Sequence, residues 1–164
     1  MATQHSMDIV VQFNAQELKN SVEMAKKEAL NRYDLKDSNI EIDLSDTGIK
    51  VVAQSDYQIE AVFGILIKKM VGRGVSAKIL DRQNTEDAGG MRRRQEMKLV
   101  KVLDQENAKM ISKKVRDAFP KAKPTIQGDM VRISSASIDE LQSIMAFLRA
   151  DETIKIPLEF TNYR

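Results

Sequence analysis

Several side chains that enzymes rely on are scarce or missing from this chain. It has no cysteine, and only one of its 164 residues is a histidine, His5. Without cysteine there is no disulfide framework and no thiolate chemistry, and a zinc site built from cysteine and histidine ligands is excluded. A Ser–His–Asp triad cannot be assembled around His5, which we expect to lie in a polar N-terminal tail, MATQHS. We therefore expect neither a metal site nor a catalytic histidine.

Long hydrophobic runs and an excess of one charge are also lacking. No segment approaches the roughly 18 apolar residues of a membrane span, and the N-terminus lacks the apolar stretch of a signal peptide. We therefore expect a soluble, cytoplasmic protein with no membrane partner. Basic residues number 26 and acidic residues 24, a net charge of +2. That balance argues against a strongly basic nucleic-acid clamp but leaves room for local basic patches.

Motifs for phosphate-loop and carboxylate chemistry are missing as well. The sequence contains no GxxxxGK[ST] loop and no GxGxxG motif that follows a strand. Its carboxylates, such as Glu41 and Asp43, fall on predicted helix surfaces and strand faces, where a solvated charge is the usual role. We therefore expect a protein that is not an enzyme and that holds no cofactor.

What the sequence does contain is an internal repeat. Residues 49–70, IKVVAQSDYQIEAVFGILIKKM, and residues 131–149, VRISSASIDELQSIMAFLR, each show a short alternating strand, a serine and an amphipathic helix. A further short strand precedes each copy. The turns between these strands contain Asp46-Thr47-Gly48 and Gly128-Asp129, the residue types that hairpin turns need. The repetition predicts two copies of one supersecondary unit.

Four helices are predicted from capping signals and apolar periodicity. Asn14, Ser55 and Ser137 each stand three residues before a Glu or Gln, which is the spacing of a capping box. Asp104 is a suitable N-cap for the remaining helix. The predicted apolar faces, in chain order, are formed by Leu18, Val22, Ala25 and Ala29; by Ile59, Val62, Phe63, Leu66, Ile67 and Met70; by Ala108, Ile111, Val115 and Phe119; and by Leu141, Ile144, Met145 and Leu148.

The predicted element order is βαββαβ followed by a second βαββαβ. This unit is the ferredoxin-like arrangement. We expect an α+β protein of two tandem ferredoxin-like domains, each a four-stranded antiparallel sheet with two helices on one face. The expected first domain is 1–83, the expected linker is 84–90 (NTEDAGG, polar and ending in Gly-Gly) and the expected second domain is 91–164. One alternative stays open, because the first and fifth strands could be exchanged between the domains.

The candidate binding residues are cations, because arginine and lysine contact phosphates. Arg73 lies between Gly72 and Gly74, which let backbone approach a ligand, although the same glycines serve equally as a helix stop. Residues 91–94, MRRR, form the most basic local run, for which a solvated strand entry is the alternative. The candidate nucleotide- or nucleic-acid-binding residues are Arg73, Arg92, Arg93, Arg94, Lys98, Arg132 and Arg164.

Aromatic residues are missing from the strands where RNA-reading sheets use them. Residues 49–53 and 131–134, which we predict to be central strands, contain none. Sheets of this fold class that bind single-stranded RNA stack bases on aromatic side chains of their central strands. We therefore expect any nucleic-acid contact to be largely electrostatic and weakly specific.

Six segments are distinctive in their order and spacing along nearly the whole chain. They are DIV at 8–10, NRYD at 31–34, SDYQ at 55–58, RG at 73–74, TIQGDMVRISSASIDELQ at 125–142 and FTNYR at 160–164. Together they resemble the YajQ family of bacterial nucleotide-binding proteins. The resemblance implies two ferredoxin-like domains, binding of nucleotides or RNA, recognition of cyclic di-GMP in some members, and no enzymatic activity.

Two functions are consistent with these observations. The first is a non-catalytic nucleotide- or nucleic-acid-binding protein, a regulator or adaptor whose ligand is cyclic di-GMP, GTP, ATP or RNA. The alternative is a protein-interaction or assembly module with a protein partner. It follows from the uncovered sheet faces, where apolar residues such as Val52 must be solvated or paired.

Overall fold

The structure is a computed structural model that describes residues 4–164. Of the expected polar tail MATQHS, residues 1–3 lie outside the described residues, whereas His5 and Ser6 belong to the first strand. A 3₁₀ turn spans Ala77–Ile79. The helices and strands are β1 (His5–Val10), α1 (Ala15–Asn31), β2 (Glu41–Leu44), β3 (Gly48–Ala53), α2 (Asp56–Gly72), β4 (Leu80–Arg82), β5 (Glu86–Asp87), β6 (Arg93–Leu99), α3 (Gln105–Ala118), β7 (Lys123–Gln127), β8 (Met130–Ser135), α4 (Ile138–Ala150) and β9 (Glu159–Thr161).

The chain divides into two compact units, each built on one antiparallel sheet. The terminal unit contains the described residues up to Gln12 together with Lys101–Arg164, and its sheet has the order β7-β8-β1-β9. The central unit is Phe13–Val100, with the order β2-β3-β6-β4 and the short β5 paired to β6. Each sheet is accompanied by two helices of its own unit, α3 and α4 or α1 and α2. The expected fold class of two ferredoxin-like domains is confirmed.

The domain boundaries differ from the contiguous 1–83 and 91–164 expected from the sequence. Strand β1 pairs with β8 and β9, both from the C-terminal part of the chain, whereas β6 pairs with β3 and β4. Strands β1 and β6, the first and fifth strands of the sequence prediction, therefore stand in exchanged positions. The reason is that alternation of apolar and polar residues specifies which face a strand buries but not which strand it pairs with.

Residues 84–90 are not a linker in the structure. Glu86 and Asp87 form β5 and pair with Arg94 and Arg93 of β6. The amide of Ala88 donates to the carbonyl oxygen of Arg92 over 2.9 Å, which closes the hairpin. Gly89 and Gly90 have φ values of 80° and 57°, a region that glycine enters without steric cost. The polar Gly-Gly segment is thus a hairpin turn inside the central unit.

All four predicted helix starts are confirmed by their capping hydrogen bonds. The side chains of Asn14, Ser55 and Ser137 accept from the amide three residues further on, over 3.0, 3.2 and 3.2 Å. The Asp104 carboxylate accepts from the Asn107 amide over 2.8 Å. Each cap satisfies a backbone donor that the first helical turn leaves unpaired. These starts fix where each helix joins the strand or loop before it.

One face of each sheet is packed against helices, and the other face is not. In the central unit Ile49, Val51 and Ala53 of β3 belong to the same buried cluster as the apolar faces of α1 and α2. In the terminal unit Met7 and Ile9 of β1 are fully buried, together with apolar residues of α3 and α4. Since side chains alternate along a strand, Ser6 and Asp8 lie on the opposite face. We call the sheet face without helices the open face of each unit.

Candidate functional site

The open face of the terminal unit carries two rows of polar side chains across its four strands. Cross-strand pairing places Lys123 beside Ser134, and Ser134 beside Ser6. The backbone of Ser6 exchanges two hydrogen bonds with that of Arg164, over 3.3 and 3.0 Å. The first row is therefore a cation, two serines and a second cation. The second row, directly beside it, runs Thr125, Arg132, Asp8, Thr161.

Asp8 and Arg132 form the centre of this face. The Nε and Nη2 atoms of Arg132 donate to the two carboxylate oxygens of Asp8 over 2.8 and 3.3 Å. The Nδ2 atom of Asn162 donates to the Oδ2 atom of Asp8 over 2.8 Å. Asp8 is only 1% exposed, so its charge is buried and compensated rather than presented to solvent.

The environment of Asp8 shifts the titration of its carboxyl group. Hydrogen bonds from Arg132 hold the pKa of Asp8 below its ordinary value, while burial acts in the opposite direction. The Asn162 hydrogen bond and the positive charges of Arg132 and Arg164 lower the pKa further. The effect of the Arg164 charge agrees with its position at the end of the neighbouring row. Asp8 is thus held in its charged form beneath Arg132.

A bulge in the last segment of the chain brings Arg164 onto this face. Asp8 pairs with Thr161, whereas Ser6 pairs with Arg164. Three steps along the last segment therefore match two steps along β1. Asn162 takes up the extra residue with a φ of 53°, the left-handed conformation that asparagine tolerates better than most residues. His5 lies in β1 rather than in a polar tail, and its Nδ1 atom is 3.2 Å from the carbonyl oxygen of Arg164.

Three cations of the terminal unit are therefore grouped around a strip of hydroxyl groups. Arg132 uses two of its five N–H donors on Asp8, which fixes the guanidinium and leaves its other edge directed away from Asp8. Lys123 and Arg164 are exposed, and among residues 4–164 neither takes part in a side-chain ion pair. We call Lys123, Arg132, Arg164, Ser6 and Ser134 the sheet-face site.

The structure brings together only two of the seven residues predicted from the sequence. Arg132 and Arg164 lie in the sheet-face site, whereas the other five belong to the central unit. Lys123, Ser6 and Ser134 were missed because their neighbourhood depends on β1 pairing with β8. The internal alignment of the repeats contained no signal for that pairing.

The arginines of the MRRR run are held by groups of the central unit itself. Arg92 donates to the carbonyl oxygens of Ser38 and Asn39 over 3.0 and 2.5 Å. Arg93 donates to Asp56, Asp87 and Thr85 over 2.8, 2.6 and 3.0 Å.

Arg94, the third arginine of the run, donates twice to Glu86, over 3.1 and 2.8 Å. These hydrogen bonds raise the pKa values of both Arg93 and Arg94. The run therefore ties the β5–β6 hairpin to the body of the central unit.

Arg73 and Lys98 stand apart from each other and from that run. Arg73 is the C-cap of α2 and lies 3.5 Å from Glu17 of α1. It is followed by Gly74 with a φ of 75°, so the Gly-Arg-Gly segment serves as the helix stop that the sequence offered as an alternative. Lys98 is exposed on the open face of the central unit, paired in register with Asp81 and Gly48.

The open face of the central unit differs in charge from that of the terminal unit. Its registers combine acidic Glu41, Asp43 and Glu96 with basic Lys50 and Lys98. Cations there stand next to carboxylates in the cross-strand direction, as Lys50 does between Asp43 and Glu96. Such a mixed face offers no group of uncompensated positive charge.

Val52 also lies on the open face of the central unit. It is only 7% exposed, so this face does not present the apolar residue that motivated the assembly hypothesis.

Within residues 4–164 there is no group of three or more histidine, cysteine, aspartate or glutamate side chains placed to hold a metal ion. In the same part of the chain, no helix is both long enough and apolar enough to cross a membrane.

Comparison with known proteins gives consistent matches over the full chain. A family model described as "Nucleotide-binding protein YajQ-like" matches residues 5–164. A protein named "Nucleotide-binding protein" from Trichodesmium erythraeum is 46% identical over 164 residues, covering 100% of both chains. Similar proteins, also named as nucleotide-binding proteins, occur in Synechococcus, with 45% identity over 165 residues, and in Chloroflexus aurantiacus, with 44% over 165 residues; coverage is again 100% of both chains.

Proposed function

We propose that this chain, which belongs to the family of YajQ-like nucleotide-binding proteins, is a non-catalytic nucleotide-binding protein whose ligand docks on the sheet-face site. The observation that carries the proposal is the grouping of Lys123, Arg132 and Arg164 around hydroxyl groups, with the adjacent Asp8 carboxylate already neutralised. Phosphate oxygens accept hydrogen bonds from lysine, arginine and serine, and an arginine fixed by a carboxylate meets them with its geometry already set.

The spacing of the cations favours a ligand with separated phosphates. Neighbouring strands lie about 4.8 Å apart, so the Cα atoms of Lys123 and Arg164, three strand intervals apart, stand roughly 14 Å from each other. Arg132 lies between them in the adjacent row. Cyclic di-GMP or a short RNA presents phosphates at more than one point, whereas GTP and ATP concentrate theirs in one chain. We therefore place cyclic di-GMP and RNA ahead of GTP and ATP as ligands.

The composition of the site supports binding rather than catalysis. Its carboxylate accepts hydrogen bonds on both oxygens, and the Nδ1 atom of His5 lies against the carbonyl oxygen of Arg164. A general base works best when its pKa lies near the working pH, and the lowered pKa of Asp8 makes its carboxylate a weak base. Binding of a nucleotide without catalysis suits a cytoplasmic regulator or adaptor that responds to its ligand.

Calorimetric titration with cyclic di-GMP, GTP, ATP and a short RNA tests this proposal. Lys123→Ala/Arg164→Ala removes two exposed cations of the site and should weaken binding at least tenfold, since a hydrogen bond to a charged group contributes about 1.5–3 kcal/mol. Lys101→Ala/Lys155→Ala removes two exposed cations elsewhere in the terminal unit and should leave affinity within about twofold, because distant surface charges are screened by salt.

Two results would refute the proposal. One is that none of the four ligands binds or raises the melting temperature at high concentration. The other is that the two double variants lose affinity equally, which would show that net charge rather than the sheet-face site governs binding.

A further inference from the structure

Helix α3 carries a group of exposed cations that the sheet-face site does not include. Lys109, Lys113 and Arg116 occur at i, i+4 and i+7 and therefore lie along one side of the helix. All three are exposed. None of them takes part in an ion pair among residues 4–164. We call these three residues the basic flank.

The position of Lys114 shows where the basic flank points. Lys114 lies on the other side of α3, and its Nζ atom donates to Asp151 at the end of α4 and to Thr153, over 2.7 and 2.9 Å. Helix α4 therefore lies on the Lys114 side. Ala108, Ile111 and Val115 face the core. The basic flank is thus turned away from α4.

The flank continues toward one edge of the sheet of the terminal unit. Strand β7 is the edge strand, and α3 packs mainly against it, whereas α4 packs against β8 and β1. The side of α3 turned away from α4 therefore borders the β7 edge. Lys121, also exposed, lies between α3 and β7. This margin of the unit therefore carries four exposed cations against two exposed carboxylates of α3, Glu106 and Asp117, and its charge is positive in balance.

We propose that the basic flank binds the sugar–phosphate backbone of a polynucleotide, as a site separate from the sheet-face site. Residues Lys109 to Arg116 extend about 10 Å along the helix axis, so each of the three side chains can contact its own phosphate along one strand. Contacts of this kind position a nucleic acid without reading its bases. This proposal does not depend on the sheet-face site.

Other polyanions fit the flank less well. A helix that binds a membrane surface places large apolar residues beside its basic ones, but the apolar residues of α3 are buried in the core. The centre of a protein interface is poor in lysine and needs an aromatic or apolar anchor, and the basic flank contains none. Unpaired, regularly spaced cations without apolar neighbours are the pattern that a phosphate backbone requires.

Fluorescence anisotropy with a labelled short single-stranded RNA of mixed sequence tests the inference on the full-length protein. Lys109→Ala/Lys113→Ala/Arg116→Ala should lower affinity on the order of 100-fold at about 0.1 M salt and reduce the slope of log K against log salt by about 2, at about 0.7 per phosphate contact. The matched control is Lys19→Ala/Lys27→Ala/Lys68→Ala, which removes three exposed lysines from α1 and α2 and should leave the slope unchanged.

Further measurements separate this inference from the alternatives. Affinity for cyclic di-GMP should be the same in the flank variant and in the unmodified protein, so that a failure here leaves the sheet-face proposal standing. The inference is overturned if both triple variants lose RNA affinity equally, or if neither loses it. It is also overturned if polyglutamate or phosphatidylserine vesicles bind the unmodified protein as tightly as RNA does.

Discussion

Asp8 and Arg132, 124 residues apart in sequence, face each other on neighbouring strands and share two hydrogen bonds of 2.8 and 3.3 Å. Their contact exists only because β1 joins the sheet formed by the C-terminal part of the chain. It also sets the character of the open face, since Asp8 removes one charge from the surface while orienting the cation that remains. One pair of residues thus connects the exchange of strands to the sheet-face site.

Asp8 should make stability depend on pH in the acid range. Its pKa is lower in the folded protein than its ordinary value of 3.8, so its contribution is fully present above about pH 4 and is lost as pH falls through the folded pKa. Asp8→Asn should lower the free energy of unfolding at pH 7 by about 1.5–3 kcal/mol.

Urea unfolding at a series of pH values measures the effect of Asp8. The difference between the variant and the unmodified protein should shrink as pH falls below 4. A difference that stays constant with pH would show that Asp8 contributes through packing and not through its charge.

The pairing of β6 predicts which piece of the chain folds by itself. Residues 13–100 contain every strand of the central sheet, whereas residues 1–83 lack β6, the strand that pairs with both β3 and β4. Loss of a central strand leaves two rows of backbone groups unpaired. The fragment 13–100 should therefore unfold cooperatively in circular dichroism, and the fragment 1–83 should not. Cooperative unfolding of 1–83 with failure of 13–100 would restore the contiguous domains.

Local signals in the sequence were sufficient to predict most individual elements. The caps at Asn14, Ser55, Asp104 and Ser137 depend on short-range hydrogen bonds, and all four helices begin where these residues predicted. The direction of Ile49, Val51 and Ala53 followed from alternation alone. Pairing between distant strands has no such local signal. Both β1 and β6 alternate apolar and polar residues, so the pattern of either strand fits either sheet.

Prediction of the candidate site was limited by the same missing information. Charge alone makes an arginine a candidate for binding an anion, but Arg93 has Asp56 as a neighbour only after the chain folds, and Arg94 has Glu86. Conversely, Ser6 and Ser134 have no distinctive sequence context, and they meet only across the β1–β8 pair. Charge in a sequence shows which residues can bind an anion, whereas the fold decides which of them remain unpaired.

Lys114 and Asp151 should show a measurable coupling in solution. The hydrogen bond from Lys114, with two from Thr153, lowers the pKa of Asp151 to about 2. Lys114→Ala removes the largest of these effects, so the pKa should rise toward 3.8, the ordinary value. Titration of the carboxyl carbon by NMR measures this directly. Thr153→Val should produce a smaller rise; if it produces the larger one, the hydroxyl and not the ammonium group controls Asp151.

Ser112 should be a position where removing a polar group stabilises the protein. It lies in α3 and is 1% exposed, and its Oγ atom has no hydrogen-bond partner among residues 4–164. A buried hydroxyl without a partner costs free energy, and alanine is the better helix former, so Ser112→Ala should raise the free energy of unfolding by about 1 kcal/mol.

Ser21 provides the matched control, since it is equally buried in a helix but donates its hydroxyl hydrogen to the carbonyl oxygen of Glu17 over 2.8 Å. Ser21→Ala gives up that hydrogen bond, so it should be neutral or lower the free energy of unfolding by about 0.5–1.5 kcal/mol. Chemical denaturation of both variants under one set of conditions compares them. If Ser21→Ala is instead the more stable of the two variants, the Ser112 hydroxyl must be hydrogen-bonded in solution. Removing a hydroxyl lowers the free energy of unfolding only when that hydroxyl is hydrogen-bonded.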